Sequence, residues 1–533
     1  MTQFSSLRRH GTLPRRITHV AHLALQPLEE RATPATAVYS ALTQTLTITA
    51  AEGDRIVVAP IADEPTGYIH VTETQAAATV FDSVTTHQGV RNLIVKFSAV
   101  NSGGLTLNAD ARLGGNLTLT GAKTSQELDL LGTVGGNVTY TAAVGAAFDD
   151  LNIAATAQVG GNVALGLGAG ENTVRLKGGT IRGNLTITGG AGIDVVEVTA
   201  DGDINVGGSA AFNLGDGNNK VVGINVGLIR VGTNFTYTGG GGNDTFDLDG
   251  SGSTLQAGQD AKFTFGNPLA FDANLATFEG INVGRNVTFT GGAGGDSIMI
   301  SGGLLAGGSV IASLGEGTNA FDSNLLGTAT NSIGLGFAYT GGGGGDSVSL
   351  DGTSVGRNVT VTLGESGGAG QAFNAGAKGP GGVTVFGNLK VTGGGGADNV
   401  VIHRTYVGAA LTVTTGAGVD VVGINDTDVA GTTLIDLGAG NDQLLIEMAT
   451  TDSGGPLANP TTFGGTVTIR GGDGNDTVSL SSDGSAGTLI HFGAHLALVG
   501  GLGTDTSNNA PENIFEVTGN TNDFETKTGP AIS

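Results

Sequence analysis

Glycine-rich turns that end in aspartate or asparagine recur along most of the 533-residue chain. The main series is Asp194, Asp244, Asp296, Asp346 and Asp398, with spacings of 50, 52, 50 and 52 residues. Asparagine marks turns between these aspartates, and a second series of strand-start residues repeats every 22 to 26 residues. The second series includes Asn137, Asn162, Asn184, Ser209, Asn234, Asp260, Asn286 and Ser309. The repeating unit is therefore a coil of 22–26 residues, too short for a domain and too long for one hairpin.

The segment 231–250, VGTNFTYTGGGGNDTFDLDG, shows what one coil contains. Apolar and polar residues alternate on both sides of its glycine turn, which is the period-2 pattern of strands with one buried face. Three short strands and three turns fill such a coil, and strands in successive coils would stack in parallel. The sequence predicts an all-β, right-handed parallel β-helix of about sixteen coils, roughly 75 Å long. A two-stranded β-roll with coils of about eighteen residues is the alternative.

Composition limits the function classes. The chain holds 97 Gly, no Cys and no Trp, and its net charge is −24. A body this acidic should repel nucleic acid and anionic membranes and attract cations. No apolar run is long enough to span a membrane. Because aromatic residues make up only 5% of the chain, we expect a thin core of small β-branched side chains.

The repeat divides the chain into four parts. Residues 1–36 form a basic leader, which we expect to be disordered or removed. Residues 37–104 predict a looser N-terminal capping β region, because stacked repeats need an atypical end unit. Residues 105–505 contain the β-helix repeats. Residues 506–533 are expected to form a C-terminal cap and a mobile tail.

The glycine turns carry the strongest chemical signal. Turns such as Gly471-Gly472-Asp473-Gly474-Asn475-Asp476 resemble the RTX, or haemolysin-type, calcium-binding repeat G-G-x-G-x-D. In that family, glycine carbonyls and aspartate carboxylates of stacked turns hold Ca²⁺, which takes six to eight oxygen ligands. The resemblance implies Ca²⁺ at the matching aspartates. These candidate ligands are Asp398, Asp420, Asp442, Asp476, Asp194, Asp244, Asp296 and Asp346.

The same residues fit a second interpretation that needs no metal. The motif occurs once per coil, whereas RTX repeats follow every nine residues, and asparagine replaces aspartate in alternate coils of the first half. Aspartate and asparagine at turns cap the backbone and can stack as a hydrogen-bonded ladder. Asp398, Asp420 and Asp442 place carboxylates on three consecutive coils, where mutual repulsion favours a cation. The sequence leaves both interpretations open.

Two further sets of residues are candidate binding or catalytic features. The asparagine column at the strand starts fits an internal amide ladder better than a sugar-binding row. Asp247 and Asp249 form a candidate carboxylate pair of the kind that β-helical lyases and glycosidases use, but the pair is not repeated. No nucleophile or nucleotide-binding motif stands in a fitting context. We therefore predict no catalytic residue and no organic cofactor.

The leader supplies the expectation of export. Residues 25–35, LQPLEERATPA, resemble the L-x-P-L-E-[ED]-R-x-x-P-A leader of large exported proteins of Planctomycetes. That resemblance implies an extracellular or cell-surface protein. We predict a structural or adhesive β-solenoid with cell-surface glycans or other surface proteins as partners and with Ca²⁺ as a candidate ligand. A carbohydrate-active β-helix enzyme and an RTX-type calcium-dependent secreted protein are the alternatives.

Overall fold

A computed structural model describes residues 35–529 and residue 532. Its gaps are residues 51–52, 66, 75–77, 87, 98–101, 122–123, 144, 146–147, 200, 225–227, 250–253, 268–272, 366–369, 379–380, 449–458, 482–488 and 512. Nearly all of the predicted leader lies outside the described residues. Across the described ranges, no helix has the length and hydropathy that crossing a lipid bilayer requires.

The described chain is a β-solenoid of about 15 turns in which parallel strands stack into three sheets. Each regular turn passes from the third sheet to the first and then to the second before it returns to the third. For example, Ile229–Val231, Phe235–Gly239 and Thr245–Leu248 belong to one turn. This arrangement confirms the predicted parallel β-helix. Because each turn contributes three strands, the two-stranded β-roll does not apply.

The strand bounds are as follows. The first sheet contains Thr36–Ser40, Thr45–Ala50, Asn92–Phe97, Leu117–Thr120, Val138–Thr141, Val163–Gly166, Leu185–Thr188, Ala210–Gly215, Phe235–Gly239, Ala261–Thr264, Val287–Thr290, Val310–Gly315, Phe337–Gly341, Val359–Thr362, Leu389–Thr392, Leu411–Thr414, Thr433–Asp436, Val467–Asp473, Leu496–Leu502 and Thr521–Asn522. The second contains Arg55–Pro60, Ile69–Glu73, Ala78–Asp82, Gly103–Leu107, Gln126–Leu130, Asp150–Ile153, Asn172–Leu176, Asp194–Thr199, Lys220–Ile224, Thr245–Leu248, Ala273–Phe278, Gly295–Ile300, Ala320–Asp322, Ser347–Leu350, Gln371–Ala375, Asp398–His403, Val421–Asn425, Gln443–Ile446, Thr477–Leu480, Thr506–Asn509 and Thr526–Thr528. The third contains Arg112–Leu113, Thr133–Val134, Gln158–Val159, Gly179–Ile181, Ile204–Val206, Ile229–Val231, Thr254–Ala257, Gly280–Val283, Leu304–Ala306, Asn331–Ile333, Thr353–Val355, Val383–Val385, Thr405–Val407, Asp428–Val429, Thr461–Phe463, Ile490–Phe492 and Ile514–Phe515.

Antiparallel strands begin the stack. Thr36–Ser40 pairs antiparallel with the first-sheet strand Thr45–Ala50. In the second sheet, Ile69–Glu73 pairs antiparallel with both Arg55–Pro60 and Ala78–Asp82. A short helix, Ser83–Thr86, follows. These strands occupy edges that would otherwise expose unpaired backbone groups.

The chain continues to pair close to its C-terminal end. The strand Thr521–Asn522 adds to the first sheet, and Thr526–Thr528 adds to the second. Both lie in the segment predicted as a cap and tail. Phe524 between them is buried, with 1% of its surface exposed. The last described turn is therefore attached by its backbone and by one aromatic side chain.

The interior combines aliphatic side chains with a continuous aromatic stack. Along each strand, alternate residues point inward and are buried, as the period-2 pattern predicts. In the middle turns, Phe263 lies at ring-centroid distances of 5.1 Å from Phe246, Phe278 and Phe289. The expected thin core of β-branched residues is thus only part of the interior. The low aromatic content of the chain gave no sign of this aromatic stack, because the phenylalanines concentrate at inward positions of a few turns.

Candidate functional site: a ladder of buried carboxylates

One side chain per turn connects successive turns at the corner between the first and second sheets. The backbone N–H of Asp398 donates to Oδ1 of Asp420 at 2.7 Å, and that of Asp420 donates to Oδ1 of Asp442 at 2.8 Å. The same contact links Asp442 to Asp476 and Asp476 to Asp505, both at 2.9 Å. Each carboxylate thus satisfies an N–H group that belongs to the neighbouring turn. We call this column the Asp ladder.

The Asp ladder extends through nearly all the regular turns. Its rungs are Gln126, Asp149, Asn172, Asp194, Asn219, Asp244, Asn274, Asp296, Asn319, Asp346, Gln371, Asp398, Asp420, Asp442, Asp476, Asp505 and Glu525. All except Glu525 are buried. The eight predicted ligands therefore lie in one column, but they line the inside of a corner and do not surround a common point.

Sequence reasoning missed several rungs. Gln126, Asn274 and Gln371 do not end a G-x-G-x-[DN] turn, and Asn274 and Gln371 follow longer loops. Asp149 and Glu525 extend the series at its two ends, through contacts with Gln126 and Asp505. A signal was nonetheless present, because Asp149, Asn274 and Gln371 each lie 22 to 25 residues from a recognised rung.

The second carboxylate oxygen divides the aspartates into two groups. In Asp194, Asp296 and Asp398, Oδ2 accepts the N–H of the glycine four residues earlier at 3.0–3.1 Å. In the other group, Oδ2 is buried and has no hydrogen-bond donor within reach among the residues that the structure describes. This second group is Asp244, Asp346, Asp420, Asp442, Asp476 and Asp505.

Four of these aspartates end turns that have the same backbone conformation as two turns that end in asparagine. The aspartates are Asp420, Asp442, Asp476 and Asp505, and the asparagines are Asn219 and Asn319. In all six turns, the glycines four and two residues before the rung have positive φ angles. These pairs are Gly215/Gly217, Gly315/Gly317, Gly416/Gly418, Gly438/Gly440, Gly472/Gly474 and Gly501/Gly503. In the Asn219 turn, Nδ2 donates to the two glycine carbonyls at 2.7 and 3.2 Å. A carboxylate in the same turn replaces that donor with a second acceptor, so each of the four Asp turns lacks one donor.

Burial raises the pKa of the ladder carboxylates because desolvation penalises their charged form. The pKa of Asp244 is raised to about 7. The pKa is raised to about 6 in Asp194, Asp296, Asp346, Asp398 and Asp442. Burial also raises the pKa of Asp420 and of Asp476. Protonation supplies the missing donor, so the ladder carboxylates hold a proton to higher pH than exposed carboxylates do.

A buried tyrosine beside the Asp ladder gives a direct test of this polar interior. Tyr237 is fully buried, and its hydroxyl has no partner among the described residues. Burial, and then the charge of Asp244, raises the pKa of Tyr237. We expect Tyr237→Phe to raise the free energy of unfolding by about 1 kcal/mol, because it removes an unsatisfied buried hydroxyl. Urea denaturation at constant pH measures the change.

Tyr39 provides the matched control. Its hydroxyl donates to the carbonyl oxygen of Gly89 at 2.7 Å. Tyr39→Phe should therefore lower the free energy of unfolding by about 1 kcal/mol. Equal losses in both variants would mean that the Tyr237 hydroxyl has a partner and would contradict the description of the corner.

The predicted asparagine column is a second internal ladder, at the corner between the third and first sheets. The N–H of Asn137 donates to Oδ1 of Asn116, and that of Asn162 donates to Oδ1 of Asn137, both at 2.8 Å. The contact continues to Asn184 and Ser209. Here each side chain accepts from the following turn, whereas each Asp ladder side chain accepts from the preceding one. These hydrogen bonds confirm the structural interpretation of the asparagines.

The remaining candidates also form contacts between turns. Asp247 accepts a hydrogen bond from Oγ1 of Thr277 at 2.6 Å, and Asp249 accepts one from Oγ of Ser301 at 2.7 Å. Within the described residues, no three His, Asp or Glu side chains converge as a metal site built from side chains requires. A cation at the Asp ladder would need glycine carbonyls for most of its ligands.

No protein-family model, no curated protein sequence and no solved structure gives a significant match to this chain.

Proposed function

We propose that the chain is an exported, rigid rod with a structural or adhesive role at the cell surface. The observation that carries this proposal is the pair of side-chain ladders, which connects most successive turns at two corners. With about 15 turns stacked roughly 4.8 Å apart, the solenoid is on the order of 70 Å long. The hydrogen bonds of both ladders join neighbouring turns of the same chain, so the rod needs no partner to form them.

Export rests on the leader at residues 25–35 and is tested on intact cells that produce the protein. Protease added outside the cells should remove the full-length chain from an immunoblot, while a cytoplasmic marker stays intact. A chain that becomes sensitive only after lysis would contradict the proposed location. Asp247 and Asp249, the candidate carboxylate pair, each accept a hydrogen bond from a side chain of a later turn.

Calcium binding is a second candidate function, favoured by the unpaired oxygens of consecutive rungs. Asp420, Asp442, Asp476 and Asp505 each present a buried Oδ2 without a donor, in turns whose asparagine counterparts place a donor there. A cation between adjacent turns would neutralise these oxygens and take glycine carbonyls as further ligands. We therefore propose the candidate site at these four rungs. At Asp194 and Asp296 both carboxylate oxygens accept hydrogen bonds. At Asp398, Oδ2 accepts an N–H, and Oδ1 has no partner among the described residues.

A thermal melt at pH 7.5 in EDTA and in millimolar Ca²⁺ tests this second function. If Ca²⁺ binds only the folded chain, at a concentration about 100 times its Kd, the gain is about 2.7 kcal/mol. We expect a higher midpoint in Ca²⁺, and we expect Asp420→Asn/Asp442→Asn to reduce that gain. Mg²⁺ serves as the control for ionic strength. Equal midpoints in EDTA and in Ca²⁺ would contradict calcium binding and would not affect the proposed structural role.

A further inference from the structure

A groove of about 650 Å³ crosses five turns where the third sheet meets the first. One residue per turn follows the third-sheet strand and lines its floor, and four of these residues are Gly207, Gly232, Gly258 and Gly284. The five turns span roughly 19 Å at ~4.8 Å per turn. The groove therefore fits an extended chain that runs parallel to the solenoid axis.

Close stacking of the turns keeps the floor free of side chains. A Cβ atom on Gly232 would lie 2.1 Å from the carbonyl oxygen of Gly207. The corresponding distance from Gly258 to the carbonyl of Gly232 is 2.2 Å. No side chain fits at either position, so bare backbone is exposed at the bottom of the groove.

The groove is basic although the chain is acidic. Arg182 and Arg230 line it, both are exposed, and no Asp or Glu belongs to its described lining. Arg285 follows the last floor glycine. Two of these arginines have a carboxylate partner outside the described lining: Asp203 is 3.6 Å from Arg230, and Asp260 is 3.9 Å from Arg285. In a chain with 47 acidic and 23 basic residues, such a surface attracts anions locally.

Uncharged polar groups accompany these arginines at the same spacing. Thr180, Asn205, Arg230, Gln256 and Asn282 are register partners in successive third-sheet strands. Their side chains belong to the groove lining, one per turn. A ligand along the groove would meet hydroxyl or amide groups at four levels and guanidinium groups at two, those of Arg182 beside Thr180 and of Arg230. This combination suits hydroxyls and anionic groups on one polymer.

We propose that this groove binds an extended anionic polysaccharide, with carboxylate or sulfate groups at the arginines and hydroxyls at the amides. The described lining has no aromatic residue on which nucleic-acid bases could stack. The inference rests on the proposed role outside the cell and names the partner class for it.

Binding of purified protein to polygalacturonate and to dextran sulfate tests the proposal, with uncharged dextran as the reference polymer. The variant Arg182→Gln/Arg230→Gln should weaken binding about tenfold, which corresponds to about 1.4 kcal/mol. The control Lys262→Gln/Arg470→Gln removes the same charge from the exposed first sheet and should stay within about twofold. Arg470 is a close match for Arg230, since it lies 3.6 Å from Asp436. Added salt should weaken wild-type binding.

Each result of the binding assay either supports or overturns the proposal. Binding of only one polymer supports the proposal and identifies carboxylate or sulfate as the recognised group. Binding of neither polymer, equal loss in the two double variants, or tighter binding of poly(U) than of either glycan overturns it. The assay uses purified protein, so a negative result leaves the protease result on intact cells unchanged.

Discussion

Gly440→Ala should lower the free energy of unfolding by about 4 kcal/mol. Gly440 has a φ angle of +155°, and a Cβ atom there would lie 1.5 Å from the carbonyl oxygen of Gly418 in the preceding turn. The obstacle is backbone, so no side-chain rotation can relieve it. The substitution would push two turns apart beside Asp442 and would break the contact from Asp420. Urea denaturation, followed by limited proteolysis near residue 440, measures the loss.

Gly423→Ala is the matched control from the same region. Gly423 lies within the strand Val421–Asn425, and nothing lies within 4 Å of the position its Cβ would take. We expect a change within about 1 kcal/mol, in the stabilising direction, because alanine restricts the unfolded chain more than glycine does. Equal losses at the two positions would contradict the close stacking of the glycine turns.

The stability of the solenoid should fall as the pH rises from 5 to 8. The pKa of Asp244 is raised from 3.8 to about 7 by burial, so the folded chain holds a proton that the unfolded chain releases near pH 4. The stabilisation from this group is complete below pH 4 and is lost as the pH rises through 7. The pKa of Asp82 is lowered to about 2, mainly because the backbone N–H of Thr85 donates to its carboxylate. Asp82 therefore changes the stability only below pH 5.

Two substitutions at neighbouring rungs test whether the Asp244 carboxylate causes this pH dependence. Asp244→Asn keeps the Oδ1 acceptor for the Asn219 N–H and should reduce the loss between pH 5 and 8 by about 2 kcal/mol. The reverse exchange, Asn219→Asp, adds a buried carboxylate and should steepen the pH dependence. Urea denaturation at unit intervals of pH provides the measurement. A wild-type midpoint independent of pH would contradict ionisable carboxylates inside the corner.

Periodicity made the fold and the column of corner residues predictable. Spacings of 22 to 26 residues and the alternation in segments such as 235–239 require stacked short strands. The same spacing places the aspartates from Asp194 to Asp398 in one column, two turns apart. The rungs Asn274 and Gln371 were not predictable by motif, because longer loops precede them and no G-x-G-x-[DN] turn marks them. The strand register places Asn274 between Asp244 and Asp296, and it places Gln371 between Asp346 and Asp398.

The sequence could not predict which ladder carboxylates lack a hydrogen-bond donor at Oδ2. Asp398 and Asp420 end similar glycine turns in sequence, yet only Asp398 receives the N–H of a glycine four residues earlier. The difference lies in the φ angles of Gly416 and Gly418, which no residue pattern specifies. The basic groove was equally hidden, because Arg182 and Arg230 lie 48 positions apart in the chain and meet only through stacking of the turns.

The most direct test of the Asp ladder is the unfolding midpoint of Asp420→Asn/Asp442→Asn in EDTA at pH 7.5. Both exchanges keep Oδ1 for the N–H groups of Asp398 and Asp420, and each adds the amide donor that asparagine supplies in the Asn219 turn. The account predicts a folded variant with a midpoint equal to or above that of the wild type. A midpoint clearly below the wild type would contradict a ladder that holds the turns together by hydrogen bonds alone.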